Sequence, residues 1–137
     1  IVSDAFAGLI GGLGFACSAQ FSQDGIGVFE PTHGSAPKYA DYEVSIVNPI
    51  AMIESACMML DYIDEKEISA RIRKAVAEVI EEGKVRTYDM MKMPGREDVV
   101  ERGAASTFEM TNAKKNWICR INLTLIHMPL SCHFQAP

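Results

Sequence analysis

No stretch of this chain carries the eighteen or so uninterrupted apolar residues that a membrane-spanning helix needs, so the sequence offers no membrane span. Paired cysteines are missing too. Cys17, Cys57, Cys119 and Cys132 form no C-x-x-C, which argues against a zinc ribbon or a thioredoxin-like site, and the four read as reduced, mostly buried thiols. Basic residues are in the minority, 13 against 18 acidic ones, for a formal net charge of -5. That balance argues against a general affinity for nucleic acid or anionic lipid and leaves room only for a local basic pocket that holds a small anion. No N-terminal segment combines basic residues, an apolar stretch and a small-residue cleavage site, which points to an intracellular, cytoplasmic protein. A starting methionine is also lacking: the chain opens at Ile1, in what reads as the middle of an element, so it reads as a fragment.

What is present is enough for a core. The 137 residues are 48% hydrophobic and 23% charged, a single-domain length at an apolar content too high for intrinsic disorder. From Ile1 to Phe15 small apolar residues lead into Gly8, Gly11, Gly12 and Gly14, the pattern of a short helix entering a glycine turn. Gly25 to Phe29 reads as a short buried strand that Glu30-Pro31 ends, and Thr32 to Val47 as a loop. Asn48-Pro49 opens a helix through Leu60, with asparagine at the N-cap and proline in the first turn; it is apolar almost all round and expected to be buried. Asp64-Glu65-Lys66-Glu67 has capping-box spacing, and Ile68, Ile72, Ala75, Val76, Val79 and Ile80 recur at helical period until Gly83. Arg86 to Met90 reads as a short extended piece, Pro94-Gly95 as a turn and Asp98 to Arg102 as one helical turn. Ser106-Thr107-Phe108-Glu109 is a second capping box, predicting a last helix.

Chemistry concentrates in the stretch from Glu30 to Ala40. Gly34 permits close backbone approach, Pro37 stiffens the loop, and His33, Lys38 and Tyr39 offer donors and a stacking surface, a set suited to a phosphorylated nucleotide. The same residues also describe an ordinary surface loop whose glycine and prolines make turns. Gly12-Leu13-Gly14-Phe15-Ala16-Cys17 fails to complete G-x-G-x-x-G, so the usual dinucleotide fingerprint is absent.

The run Phe29-Glu30-Pro31-Thr32-His33-Gly34-Ser35-Ala36-Pro37-Lys38-Tyr39-Ala40, followed by Asn48-Pro49, resembles the nucleotide-binding signature of the β-decarboxylating dehydrogenases, the isocitrate, 3-isopropylmalate and homoisocitrate dehydrogenases. The resemblance extends through Ser3-Asp4 and Gly11-Gly12-Leu13-Gly14 upstream, and through Met58-Met59-Leu60 and Thr87-Tyr88-Asp89 downstream. It covers roughly residues 1–113. It implies an α/β fold, here the C-terminal part of the family's large domain and not a Rossmann fold.

The resemblance also implies site roles. His33, Asn48 and the backbone from Gly34 through Ser35 and Ala36 to Ala40 match groups that hold the adenine half of the cofactor; Glu30 matches an acid near the nicotinamide, and Gly14 a glycine turn lining the cleft. Lys38-Tyr39 matches the NADP-preferring isocitrate dehydrogenases, whereas NAD-preferring members carry an acidic and an aliphatic residue there. The chemistry agrees, because a 2'-phosphate wants a cation and hydroxyl donors while a free 2'-hydroxyl is best met by a carboxylate. Tyr88 matches a further phosphate contact, and Lys92 stands where arginine is common, keeping the charge without the bidentate fork. Asp4 matches one carboxylate of the pair that holds Mg2+ or Mn2+, ions suited to hard oxygen ligands; taken alone it would be an ordinary acid at a helix N-terminus.

The family's reaction oxidises a small 2-hydroxy acid, removes its β-carboxylate as CO2 and reduces NADP or NAD. The resemblance implies a homodimer. The tyrosine and lysine that handle protons match nothing in this stretch, so no catalytic residue is expected here and the chain alone should lack turnover. The expected substrate is isocitrate; the alternatives are 3-isopropylmalate or homoisocitrate with NAD, a non-catalytic nucleotide-binding subunit, or an unrelated small interaction domain.

Departures from the pattern are specific. Asp41 replaces a usual glycine, the Ala40 to Asn48 loop is about two residues longer, which could shift Asn48 relative to His33, and Glu54 occupies a helix position normally apolar, where it must find a partner, reach solvent or be protonated. Residues 114–137 form an atypical tail outside the resemblance. Beyond Glu109 there is no acidic residue, yet this segment holds the only tryptophan, two of the four cysteines and two of the three histidines; the spacing of Cys119, His127, Cys132 and His133 is unlike common zinc sites. Exposed apolar surface is expected, with marginal stability or aggregation in isolation.

Overall fold

Small residues next to Ile1 start the first helix, α1 (Val2–Leu9), and glycines stop it. Gly11 and Gly12 take φ of 113° and 106°, backbone values that side chains disfavour. The structure is a computed structural model that describes residues 2–113, except for the side chains of Ser3 and Asp4. The atypical tail, with the cysteine and histidine grouping, lies outside the described residues.

The chain next forms an antiparallel hairpin, β1 (Cys17–Phe21) and β2 (Gly27–Pro31), in the register Cys17↔Pro31 to Phe21↔Gly27. The expected strand at Gly25 to Phe29 is therefore shifted by two residues, because Gly25 (φ 78°) makes the turn. Pro31 closes β2 as its last residue, where its missing N–H costs least. The partner strand β1 gave no signal in the sequence, since Cys-Ser-Ala-Gln lacks bulky alternation.

Helix α2 (Ile50–Tyr62) packs across the hairpin and against α3 (Lys66–Glu82). It is tied at both ends. At its start Pro49, not the expected asparagine, holds the N-cap position, and Asn48 Oδ1 just before it accepts the Ile50 N–H at 3.0 Å; at its end the Tyr62 hydroxyl donates to the Gly25 carbonyl at 2.6 Å. Phe21, Phe29 and Tyr62 cluster beside this second tie, with ring centroids 5.1 to 5.8 Å apart. Expected burial all round α2 does not hold: Ile50, Ala51, Ser55 and Cys57 are buried while Met52 and Met59 face out. The hairpin and α3 cover one side of the helix, and nothing among the described residues covers the other. Cys57 is fully buried, and burial with the nearby Glu54 carboxylate pushes its thiol up to about 11; Cys17 is half-buried and both are free thiols.

Glu54 finds its partner. Arg73 on α3 donates to Glu54 at 3.2 Å, to Asp61 at 2.6 Å and to the Ser69 hydroxyl at 2.8 Å, binding α2 to α3 through one guanidinium. The capping box expected at Asp64 to Glu67 is not formed. Asp64 turns the chain with φ 67°, its carboxylate pairs with Lys66, and no side chain caps Glu65. Gly83 stops α3 as expected, in the left-handed conformation (φ 61°) with its N–H on Val79. Residues 86–90 are not extended as a whole; the chain turns there, with the Met91 N–H on Thr87 O and the Met93 N–H on Tyr88 O.

Ser106 and Glu109 do form their capping box. Glu109 accepts both the backbone N–H (2.9 Å) and the hydroxyl (2.8 Å) of Ser106, whose oxygen accepts the Glu109 N–H, and helix α4 (107–113) follows. Its Thr107 grips the loop from Thr32 to Val47 through Ser45 and Val47. Ile46, between them, is buried with Val99 and Ala104, and Tyr39, Tyr88 and Met91 pack around this small core. On α1, Val2, Phe6 and Leu9 expose a helical stripe, 65 to 80% accessible. The expected exposed apolar surface is therefore present.

Two predictions follow from the ties in this framework. A Cβ at Gly14 would land on the Asp89 carboxylate and within 3.2 Å of the Asn48 side chain, so Gly14→Ala should cost about 1–3 kcal/mol, read as a lower denaturation midpoint; an unchanged midpoint contradicts this packing. The two Ser106 donors, the backbone N–H first, hold the Glu109 carboxyl below the usual carboxylate range. A lowered folded value contributes stability at neutral pH that is lost as the pH falls through it. Midpoints of the chain and of Glu109→Gln should accordingly differ at neutral pH and converge on acidification; a gap that persists into acid refutes the assignment.

Candidate functional site

The glycine turn after α1, the Thr32 to Val47 loop and the turn at Thr87 to Asp89 enclose a cavity of about 550 Å³. Of the residues singled out in the sequence, Gly14, His33, Gly34, Ser35, Ala36, Lys38, Tyr39, Asn48 and Tyr88 all line it. Glu30 and Lys92 do not. Glu30 is exposed on β2, where Gln20 Nε2 donates to its carboxylate at 2.9 Å, and Lys92 is exposed at a left-handed residue (φ 55°). Despite the longer loop, Asn48 and His33 share the cavity, and Asp41 is exposed outside it.

The backbone of the loop is open to a ligand. Ala36 is left-handed (φ 45°, ψ 60°) and leads into a 3-10 turn at Pro37–Tyr39 with proline at its start. A Cβ at Gly34 would meet nothing within 4 Å, so space lies directly over the main chain there. His33 Nδ1 lies 2.9 Å from its neighbour's carbonyl at Gly34. Because a carbonyl only accepts, Nδ1 carries the proton, and in the neutral ring Nε2 is left as an acceptor.

One corner of the cavity gathers a cation and hydroxyls. Tyr88 donates to the Tyr39 hydroxyl at 3.4 Å, and Lys38 Nζ sits 4.6 Å from the centre of the Tyr39 ring. The Tyr88 hydroxyl bond, followed by the Lys38 ammonium, lowers the Tyr39 phenol; burial first and the Tyr39 contact second raise the Tyr88 phenol. Gly95 makes the tyrosine pair possible, since a Cβ there would strike the Tyr39 hydroxyl and the Tyr88 ring. This corner can bind a phosphate by charge and hydrogen bonds.

Next to this corner in the chain is a knot of Asn48, Asp89 and Thr87, of which Asn48 and Asp89 line the cavity. Asn48, only 3% exposed, donates through Nδ2 to Asp89 Oδ2 at 2.9 Å, and the Thr87 hydroxyl donates to the other Asp89 oxygen. The Gly14 carbonyl accepts the Ala51 N–H at 2.9 Å, which draws the glycine turn onto α2. Asp89 and Gly95 escaped the sequence reading as site residues. Asp89 was visible there only as part of Thr87-Tyr88-Asp89, and Gly95 only as a turn residue.

No group of three or more His, Cys, Asp or Glu residues is placed to hold a metal among the described residues. Asp4, the expected metal ligand, lies on α1 with its side chain outside them. No helix among the described residues is long and apolar enough to cross a membrane.

Comparison with known proteins agrees with the geometry. The family model described as isocitrate/isopropylmalate dehydrogenase matches residues 1–113. An isocitrate dehydrogenase [NADP] of Archaeoglobus fulgidus is 51% identical over 94 residues, which cover 69% of this chain and 22% of that protein. An isocitrate/homoisocitrate dehydrogenase of Thermus thermophilus is 53% identical over 90 residues, covering 66% of this chain and 26% of that one. The crystal structure of isocitrate dehydrogenase from Methylococcus capsulatus superposes with a TM-score of 0.71 at 39% identity, covering 85% of this chain and 31% of that one. The chain thus spans about a fifth to a third of the length of these proteins, and its α/β arrangement is theirs. Matched over residues 1–113, with the cavity built from the matched segment, the chain belongs to the isocitrate/isopropylmalate dehydrogenase family.

Proposed function

We propose that this chain supplies the nucleotide-binding part of a metal-dependent oxidoreductase that converts isocitrate to 2-oxoglutarate and CO2 with reduction of NADP. The observation that carries the cofactor choice is the meeting of Lys38, Tyr39 and Tyr88 at one corner of the cavity. A phosphate ester on the adenosine ribose brings a dianion that an ammonium and two phenolic hydroxyls can meet. A carboxylate in the place of Lys38 would instead suit an unphosphorylated ribose hydroxyl. A relative named isocitrate dehydrogenase [NADP], 51% identical, supports the same reading.

In this reading His33, Asn48 and the open backbone at Gly34, Ser35 and Ala36 take the adenine half, and Gly14 floors the cleft. Glu30, outside the cavity at the end of β2, serves the nicotinamide end, and Lys92 adds a charge near the phosphate. The nicotinamide, when bound, supplies a hydride acceptor; the residues of this chain orient the far end of that cofactor. Asp4 belongs to the carboxylate set for Mg2+ or Mn2+, which polarises substrate oxygens. A homodimer, a cytoplasmic location and a small 2-hydroxy acid as partner complete the proposal.

Calorimetry separates the two cofactors directly. NADP is expected to bind the chain at least about tenfold more tightly than NAD, and Lys38→Asp to remove most of that difference, as loss of a charge-assisted contact would. Equal affinity for the two, or tighter NADP binding after Lys38→Asp, overturns the cofactor assignment. For the substrate, turnover of isocitrate in preference to 3-isopropylmalate by the enzyme that contains this chain is the expected result.

A further inference from the structure

We propose that Asp89 is a positioning residue that locks the side-chain amide of Asn48 in one orientation and so makes the cavity select a 6-amino purine over a 6-oxo purine. The inference rests on the reading of this cavity as an adenine site and adds a residue and a selectivity to it. It starts from the two partners of Asn48. The Ile50 N–H can only donate, and it meets Oδ1 at 3.0 Å; the Asp89 carboxylate accepts, and it meets Nδ2 at 2.9 Å. Side-chain amides are usually ambiguous between their oxygen and nitrogen ends, but here each end faces a group compatible with one assignment alone.

A primary amide has two N–H donors and two lone pairs. The Ile50 and Asp89 bonds use one of each, leaving one donor and one acceptor at fixed places on the cavity wall. Adenine presents an exocyclic amino donor next to a ring-nitrogen acceptor, the pattern an asparagine amide reads as a pair. Hypoxanthine in the same pose sets a carbonyl oxygen where adenine has its amino group, so Asn48 would have to flip. The flip turns Oδ1 toward the Asp89 carboxylate and the NH2 group toward the Ile50 N–H, so that acceptor meets acceptor and donor meets donor. In a site where Asn48 is 3% exposed, water cannot relieve either clash. Asp89 is itself held at its other oxygen by the Thr87 hydroxyl, with Thr87 fully buried, and it cannot swing away without unpairing that group. Gly14 leaves little slack, because the Asp89 carboxylate lies where its Cβ would be and Asn48 Nδ2 stands 3.1 Å from that point.

The test compares NADP with nicotinamide hypoxanthine dinucleotide phosphate, its 6-oxo analogue, by calorimetry on the full chain. The unaltered protein should prefer NADP by roughly tenfold or more, as one well-made amide–base pair does. Asp89→Asn keeps the shape, but its own amide can turn to meet a flipped Asn48, so the preference should fall several-fold. Thr87→Val retains the Asp89 carboxylate but removes the hydroxyl that holds it, so the preference should fall in the same direction and by less than in Asp89→Asn. A merely structural Asp89 would weaken both nucleotides equally, and an unchanged ratio in Asp89→Asn overturns the proposal. Equal binding of the two nucleotides by the unaltered protein overturns it with no variant needed. Failure to bind either nucleotide, or adenosine 2',5'-bisphosphate alone, removes the adenine-site reading itself.

Discussion

The bond between Asn48 and Asp89, 41 residues apart in sequence, is the constraint around which the described structure is arranged. It joins the residues just before α2 to the turn after α3, and Gly14 fits the glycine turn against both. A buried amide that lost a partner would leave a polar group without water or protein to satisfy it, at a cost of about 1–3 kcal/mol. The three segments therefore hold together or separate together. Their junction is one wall of the cavity, so the position of that wall is set by hydrogen-bond satisfaction rather than by a large apolar core. The buried cluster nearest to it is small, Ile46, Val99 and Ala104.

Helix α2 carries this constraint through the molecule. Its first N–H is held by Asn48, its last turn is tied to the hairpin through Tyr62 and Gly25, and its side is bound to α3 through Arg73. The Thr32 to Val47 loop is anchored in the same manner at both ends and left open in the middle. Thr32 bonds to the Ala16 carbonyl at one end, and at the other Thr107 grips Ser45 and Val47 around the buried Ile46. Fixed ends remove much of the freedom that a sixteen-residue loop, roughly, would otherwise lose on binding a ligand. The open stretch at Gly34 to Ala36 is where a cofactor backbone can approach.

Much of this was legible in the residues, and the exceptions have physical causes. Helices α2 and α3 were readable because an Asn-Pro start, a 3.6-residue period and a glycine stop are local signals. The Ser106 capping box was readable for the same reason, while Asp64 to Glu67 carries identical spacing and makes no cap, since Asp64 is needed to turn the chain at positive φ. Strand β1 was not readable, because its small polar residues become a strand only through pairing with β2. The mixed exposure of α2 depends on which neighbours cover it, and composition does not encode that. In the site, the loop residues stood out by chemistry. Asp89 and Gly95 did not, because their roles exist only in the distances to Asn48, Tyr39 and Tyr88.

The cavity divides its work between two kinds of residue. Lys38 is exposed and sits over the Tyr39 ring, whereas Tyr39 and Tyr88 pack against Ile46, Val99 and Ala104. Changing the charge at Lys38 alters what the corner attracts at little cost to packing. Changing Tyr88 disturbs the core, the hydroxyl pair and the close approach of Gly95 together. The wall of Asn48, Asp89, Thr87 and Gly14 is more tightly bound still, because a change in one member disturbs its contacts with the others. In the proposed reading, selectivity for the phosphate end is thus adjustable by surface substitution, and selectivity for the base is built into the fold.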